Sequence, residues 1–533
     1  MAAATLGRSA RGLLALALLA GPPASGYPLD GYPYTGIPRL DWGYRIATGA
    51  LPGRERPPGE LLPLKQVDLR LVDRPDLDLP TPDPGFTAAI RALLPHEAGR
   101  YGVAVLDLSD RDRPRYAEWR GGVRQNPGSV GKLLVALAIF QALADAHPDD
   151  TQARERVLRD SRVVADAFSH HDHHTVPFFD PERGTGHRRP LRDGDVGSLW
   201  TYLDWMLSPS SNSAAGMLQK HLLLLAHYGS RYPVDRAEED RFFRETPRAE
   251  LAALFERAMQ DPVRRNGLDL EGFRQGSFFT AEGKRRVPGT SSHATPRGLM
   301  EFLLRLEQGR LVDHWSSREI KRLLYVTERR IRYASSPALR DAAVYFKSGS
   351  LYSCAPEPGF VCRKYHGNVR NYMNSAAIVE HPAGQNRLTY MVTVLSNVLR
   401  KNSAVDHQTL ATRIHRRIEA DHPERAQGAE AALAFGEGFI GYAEKRARRL
   451  RAAEVQGALL ELGYDVGEVD GVVGRRTRRG IREFRRRHGL PVSGEVDDAL
   501  VERLRAARDE ARAARASGAA PGADGPAGDP EAR

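Results

Sequence analysis

Cysteine is nearly missing from this chain: Cys354 and Cys362 are the only two among 533 residues. A fold stapled by several disulfides is thereby excluded, and two thiols are too few for a thiolate metal centre. Eight positions apart, they suit a single local bridge closing the loop 355–361. Long apolar runs are missing too. Past the N-terminus none reaches about 18 residues, so no transmembrane segment is expected. The N-terminus itself places Arg8 and Arg11 before the short apolar run 13–20, followed by Pro22-Pro23-Ala24-Ser25-Gly26. That order reads as a secretory signal over residues 1–26, and without a nearby cysteine no lipid anchor is expected. The mature chain is expected to be exported, periplasmic or cell-wall associated.

Acidic residues are outnumbered, 67 against 78 Lys and Arg, leaving a net charge of +11 and a pI near 9.6. An anionic partner follows: nucleic acid, anionic lipid or an acidic wall polymer. Export argues against nucleic acid. The chain is also too long for one ordinary domain. Residues 27–85 are rich in Tyr, Pro and Gly and read as an extended arm lying on a domain rather than a domain. Residues 86–420 alternate apolar strand and helix patterns. Strands near 101–108 and 115–119 precede a helical block, and further strands follow near 344–351, 375–380 and 387–395. A helical block inserted into an antiparallel sheet, hence an α+β fold, is the simplest architecture. Residues 421–452 read as a charged, Ala-rich helical linker and 453–506 as a last small folded piece. Residues 507–533 lack any core-forming pattern and read as disordered.

Three short motifs carry chemistry. In Asn126-Pro127-Gly128-Ser129-Val130-Gly131-Lys132, a turn delivers Ser129 to the start of a wholly apolar helical run. Three residues apart, Ser129 and Lys132 share one helical face. A desolvated Lys132 would favour its neutral form and could take the proton of Ser129. On its own the pattern is weak, because a capping serine with a solvated lysine looks the same. A phosphate loop is excluded, since Asn126 and Leu133 stand where it needs Gly and Ser or Thr. Ser210-x-Asn212 lies between two helical patterns, and Lys347-Ser348-Gly349-Ser350 lies in a strand pattern.

Together, in this order, the three motifs resemble those of class A β-lactamases and penicillin-binding proteins. The likeness covers roughly residues 86–420. It implies a β-lactamase/transpeptidase-like fold, Ser129 as nucleophile and Lys132 as its base. It also implies that Ser210 passes the proton to the leaving nitrogen and that Asn212 holds the substrate amide. Lys347 and Ser348 would take the substrate carboxylate, and the N–H groups of Ser129 and Ser350 would form the oxyanion hole beside Gly349. No cofactor is implied. The tract His170-His171-Asp172-His173-His174 reads as a surface loop near the site entrance. Its histidines are weak metal candidates only, because adjacent ligands cannot all face one ion.

The second resemblance is at the C-terminus. Leu462-Gly463-Tyr464, Asp470-Gly471, Thr477, Ile481, Phe484 and Gly489-Leu490-Pro491 resemble the small three-helix peptidoglycan-binding domain of many wall hydrolases. Asp470, Gly471, Thr477 and Phe484 are its candidate binding residues, and Arg485 departs from the usual Gln. Peptidoglycan is then the expected partner, with β-lactams as substrates or inhibitors.

Two departures bear on activity. Ser211 stands where class A enzymes carry Asp, and the loop motif Glu-x-x-Leu-Asn, whose Glu activates the deacylating water, is missing. Glu245 lies at a comparable distance from the second motif and is the candidate deacylation base. A D-Ala-D-Ala peptidase tethered to the wall is the leading expectation. The alternatives are a class A-like β-lactamase, another acyl hydrolase such as an esterase, and a non-catalytic wall-binding scaffold.

Overall fold

The computed structural model describes residues 31–47, 50–53, 56–95, 97–426, 440–467, 469 and 471–516. The signal-peptide reading of residues 1–26 lies outside them. Five strands form one antiparallel sheet: β1 (Tyr101–Asp107), β2 (Arg115–Trp119), β5 (Ala343–Ser353), β6 (Arg370–His381) and β7 (Leu388–Asn397). Their order across the sheet is β2-β1-β7-β6-β5. A short hairpin, β3 (Val176–Asp180) with β4 (Thr185–Arg189), stands apart from it.

The inner strands are buried along almost their whole length because both faces are covered. Along β1, Ala104 and Leu106 enter one core cluster while Tyr101, Val103 and Val105 enter another. In β7, Met391 and Leu395 point to the first cluster, and Tyr390, Val392 and Val394 to the second. Side chains of a strand alternate between faces, so this division places the sheet between two helical layers. The second layer is thin: the helix Pro84–Ala92 and a C-terminal helix, Ser403–Asp421. The first is the large helical block.

At the centre of that block lies α2 (Lys132–Ala146), preceded by the 3₁₀ turn Gly128–Gly131. Twelve of its fifteen residues are buried, which explains an apolar run with no polar face. Taken with its turn, Gly128–Ala146 is long and apolar enough for a membrane span, but it is the core helix here. Packed against it are α3 (Leu199–Leu207) and α4 (Asn212–Tyr228).

Two expectations need correction. The segment 27–85 is not an extended arm throughout, for it forms the helices Gly31–Thr35 and α1 (Pro38–Ala47). Ile37, Leu40, Leu62, Leu64, Val67 and Leu71 enter the main core from it. Its Pro and Gly residues mark turns between these anchors. The tail is shorter than expected as well. Helix Asp498–Ala516 carries past residue 507, with Ala507 in the core and Arg508 paired to Glu461 at 2.8 Å.

Ion pairs fasten the N-terminal segment to the block. Arg39 pairs with Asp204, which is fully buried on α3, and donates to the Val326 carbonyl. Arg70 forks onto Glu380 with two 3.0 Å bonds, and Lys321 pairs with the same carboxylate at 2.7 Å. Removing one partner of such a pair strands the other charge in a dry interior. Arg39→Ala should therefore cost about 3–5 kcal/mol in denaturant unfolding. Arg39→Met combined with Asp204→Leu should cost much less, and equal losses in both variants would disprove the pairing account.

Candidate active site

Ser129 sits in the 3₁₀ turn that opens α2, one turn before Lys132. Lys132 Nζ lies 3.0 Å from Ser129 Oγ, 2.8 Å from Asn212 Oδ1, 2.6 Å from the Ser210 carbonyl and 3.4 Å from Ser210 Oγ. Lys347 Nζ, from β5, donates to the same Ser210 Oγ at 2.9 Å and to the Ser348 carbonyl at 3.0 Å. Ser210 thus stands between the two amines. Its φ of +67° is unusual for a residue with a Cβ, a strain held by the packing around the loop.

Glycine brings the strand to the turn. A Cβ at Gly349 would lie 2.3 Å from the Pro127 carbonyl oxygen and 2.6 Å from Ser129 N. Only a bare backbone lets β5 approach so closely. The same contact brings Ser350 N to 3.2 Å from the Cβ position of Gly128, so both predicted oxyanion donors belong to one junction.

Electrostatics follow from burial. Both lysines are buried, and loss of hydration disfavours their charged forms. For Lys132 burial, aided by Arg332 and opposed by Asp172, brings the pKa down to about 7. Lys347 is pushed well below the ordinary lysine value by burial and by the charges of Lys132 and Arg332. An amine that is neutral near pH 7, bonded to a serine hydroxyl at a helix start, can accept that hydroxyl's proton.

A family model described as the beta-lactamase enzyme family matches residues 85–418. The chain belongs to that family. Its fold is β-lactamase/transpeptidase-like, and a second model, for a peptidoglycan binding domain, matches residues 449–504. Similar solved structures include a β-lactamase from Sphaerobacter thermophilus, at 16% identity and TM-score 0.39, covering 63% of this chain and 97% of that one. Another, titled PBP-A, is 13% identical with TM-score 0.40 and covers 64% and 99%. A β-lactamase from Desulfarculus baarsii is 17% identical with TM-score 0.39 and covers 63% and 99%. No curated protein matches the chain.

Within this β-lactamase-family serine hydrolase, four side chains named below reach the site from outside the motifs. Arg332, at φ +55°, donates to Ser348 Oγ at 2.6 Å, Ser350 Oγ at 3.1 Å and Tyr365 Oη at 2.9 Å. It faces the third motif from a turn 15 residues upstream of Lys347, in a stretch with no pattern of its own. Asp172, from the histidine tract, accepts from Ser211 Oγ at 2.9 Å, Asn212 N at 2.6 Å and Ser213 N at 3.0 Å. The carboxylate missing at position 211 thus arrives from position 172. Gln275 packs against the Ser129 turn, where its Oε1 lies 2.1 Å from the Cβ position of Gly131, and Phe279 covers Lys132 Nζ at 5.0 Å.

The remaining candidates fall elsewhere. Glu245 ends the helix Arg236–Glu245, exposed, with its carboxylate on the adjacent Arg244. No described hydrogen bond or ion pair links it to Ser129 or Lys132. The loop against Ser129 is the one carrying Gln275, so the placement of Glu245 by sequence distance is corrected. The histidines have other partners: His170 binds Asp193 at 2.7 Å and lies edge-on to His171, while His174 binds Asp172 at 2.6 Å and stacks on His173. Only Asp172, His173 and His174 bring ligand atoms near one another, and that carboxylate is already engaged.

In the C-terminal domain Thr477 and Phe484 are buried and build its core, so they do not offer a binding surface. Gly471 N is bound by Gln456 Oε1 at 2.8 Å, and Asp470 lies outside the described residues. Arg485 is explained by its contacts: buried, it donates to the carbonyls of Pro491 and Glu495 and pairs with Asp497. Cys354 and Cys362 are bonded to each other just beyond β5.

Titration of the Lys132 side chain by NMR of its ε-carbon should show a midpoint near 7 rather than near the ordinary 10.5. Arg332→Ala should raise that midpoint, since it removes a neighbouring positive charge. A wild-type midpoint near 10 would show that the amine is charged and cannot serve as a base at neutral pH.

Proposed function

We propose that the protein is an exported D-Ala-D-Ala peptidase of peptidoglycan that works through a Ser129 acyl-enzyme. The observation that carries the reaction class is the 3.0 Å contact between Ser129 Oγ and a buried Lys132 whose pKa lies near 7. Ser129 Oγ attacks the acyl carbonyl and passes its proton to Lys132. The developing oxyanion is met by the N–H groups of Ser129 and Ser350. Ser210, bonded to both lysines, hands a proton to the leaving nitrogen. Lys347, Ser348 and Arg332 form a positive edge for the terminal carboxylate of the stem peptide, a group to which guanidinium and ammonium donors bind strongly.

Two features favour a wall peptide over a β-lactam as the working substrate. Gln275, an amide, faces the Ser129 turn, and among the described residues no carboxylate bonds Ser129 or Lys132. Rapid hydrolysis of a β-lactam acyl-enzyme needs a base for its water, and an amide cannot accept that proton. The C-terminal domain, matched to peptidoglycan binding, raises the local concentration of wall substrate and gives little to an enzyme acting on a diffusing drug. The name of the matching family, taken alone, favours a β-lactamase, so the two readings are set against each other by rate.

With a chromogenic cephalosporin, the purified mature protein should release about one equivalent of product and then stall, and Ser129→Ala should abolish the burst. Sustained turnover that is lost in Ser129→Ala would move the assignment to β-lactamase. In parallel, a pentapeptide stem ending in D-Ala-D-Ala should lose its terminal D-Ala. Deleting residues 453–533 should prevent the protein from pelleting with purified sacculi, while unchanged pelleting would remove the tether.

A further inference from the structure

Asp172 is more heavily engaged than a surface-loop aspartate has reason to be. Its Oδ2 accepts three hydrogen bonds from consecutive residues of the second motif: Ser211 Oγ, Asn212 N and Ser213 N. Its Oδ1 accepts from His174 Nδ1 at 2.6 Å and from His174 N at 3.2 Å. The side chain is 1% exposed although the tract around it is largely at the surface. Ser211 Oγ works both ways, donating to Asp172 and accepting from Ala214 N as the cap of α4. The carboxylate therefore sits on the free N–H groups at the positive end of a 17-residue helix, where negative charge is stabilised. Burial works to raise its pKa, but the His174 bond and these N–H donors hold it well below the usual carboxylate range. It stays ionised throughout the working range.

What it grips is the catalytic support. Asn212 donates its N–H to Asp172 while its Oδ1 accepts from Lys132 Nζ at 2.8 Å, and the Ser210 carbonyl accepts from Lys132 at 2.6 Å. A shift of 210–213 would pull both acceptors off the amine that faces Ser129.

We propose that Asp172 is a positioning residue for the Ser129 reaction, clamping Ser211, Asn212 and Ser213 so that Asn212 Oδ1 and the Ser210 carbonyl hold Lys132 on Ser129. The proposal rests on the acyl-enzyme reading and adds to it a residue contributed by the histidine-rich loop. It has an electrostatic consequence too. The charged or titratable groups facing Lys132 are Asp172 and His174 from the histidine-rich loop, Lys347 from β5 and Arg332 from its turn. Asp172 is the one anion among them, and its charge favours the protonated amine. His174 is held towards its neutral form by burial, against the pull of Asp172. Removing the Asp172 charge makes Lys132 lose its proton at lower pH.

The test is the rate of covalent labelling by a fluorescent penicillin, measured from pH 5 to 9 in the full-length wild type, Asp172→Asn and Ser211→Ala. Wild type must label and Ser129→Ala must not, and failure there sinks the acyl-enzyme reading itself. Given labelling, Asp172→Asn should slow the plateau roughly tenfold to a hundredfold, the range for losing charge-assisted bonds. Its acidic limb should move to lower pH. Ser211→Ala keeps the charge, so its limb should stay where the wild type's lies. An Asp172→Asn plateau within twofold of wild type overturns the proposal, as does a slower rate with an unmoved limb. An Asp172→Asn chain that fails to fold while Ser211→Ala folds and labels makes Asp172 a fold residue and overturns it too.

Discussion

The site depends on keeping two lysines dry. Lys132 and Lys347 approach the same hydroxyl of Ser210, and both are buried. Two ammonium groups in that position would repel each other and lack hydration, so at least one must give up its proton. The neutral amine beside Ser129 is therefore made by its surroundings, namely the apolar wall of α2, the ring of Phe279 and the positive charge of Arg332. Expose Lys132 to water and it becomes an ordinary cation beside an ordinary serine. Folding carries the cost. Below about pH 7 Lys132 is protonated in both states, but between about 7 and 10.5 only the unfolded chain holds the proton. By linkage, its contribution to stability rises with pH across that window.

Rigidity around those amines comes from far along the chain. The sheet supplies β5, whose Gly349 lies against the Ser129 turn, and the block supplies α2 and α4. The N-terminal segment binds these parts from outside. Arg39 holds α3, Arg70 and Lys321 meet on Glu380 of β6, and Trp42 stacks on Phe179 of β3 with ring centres 5.7 Å apart. The β3–β4 hairpin begins two residues after His174, so the segment that seats it also steadies the loop presenting Asp172. A chain of contacts runs from residue 42 to the second motif without touching substrate.

How much of this was legible in the sequence depended on range. The three motifs could be read because each is local and its chemistry needs particular residue types at fixed offsets. The helical block set into an antiparallel sheet was readable from the order of strand and helix patterns. Arg332, Asp172 and Gln275 were not legible as site residues. Each reaches the site from a loop whose path is set by packing, and Asp172 was masked by the four histidines around it. Glu245 failed for the same reason, since distance along the chain says little about where an insertion leads. Thr477 and Phe484 failed differently. A small domain's motif is dominated by the residues that let it fold, and a surface that touches polymer has no such periodic mark. The N-terminal segment looked like a strap because its few apolar anchors were diluted by Pro, Gly and Tyr.

The charges at the site also narrow the choice of substrate. Lys347 and Arg332 line the edge beyond Ser129, Lys132 lies behind it, and the carboxylate of Asp172 is engaged by Ser211, Asn212, Ser213 and His174. A ligand entering this cleft meets the donors of Lys347 and Arg332, to which no carboxylate is bonded among the described residues, so an anionic group beside the scissile amide is favoured and a cationic one is repelled. A peptide ending in a free carboxylate satisfies that requirement, and so does a β-lactam with its ring carboxylate. What separates them is the second step. The peptide product can leave by attack of water or of another amine once the first D-Ala has diffused away. A β-lactam leaves its own amine tethered, still shielding the ester from a solvent molecule that Gln275 cannot activate. On the peptidase reading proposed above, Gln275 would slow release of a β-lactam without hindering a reaction in which the leaving group departs.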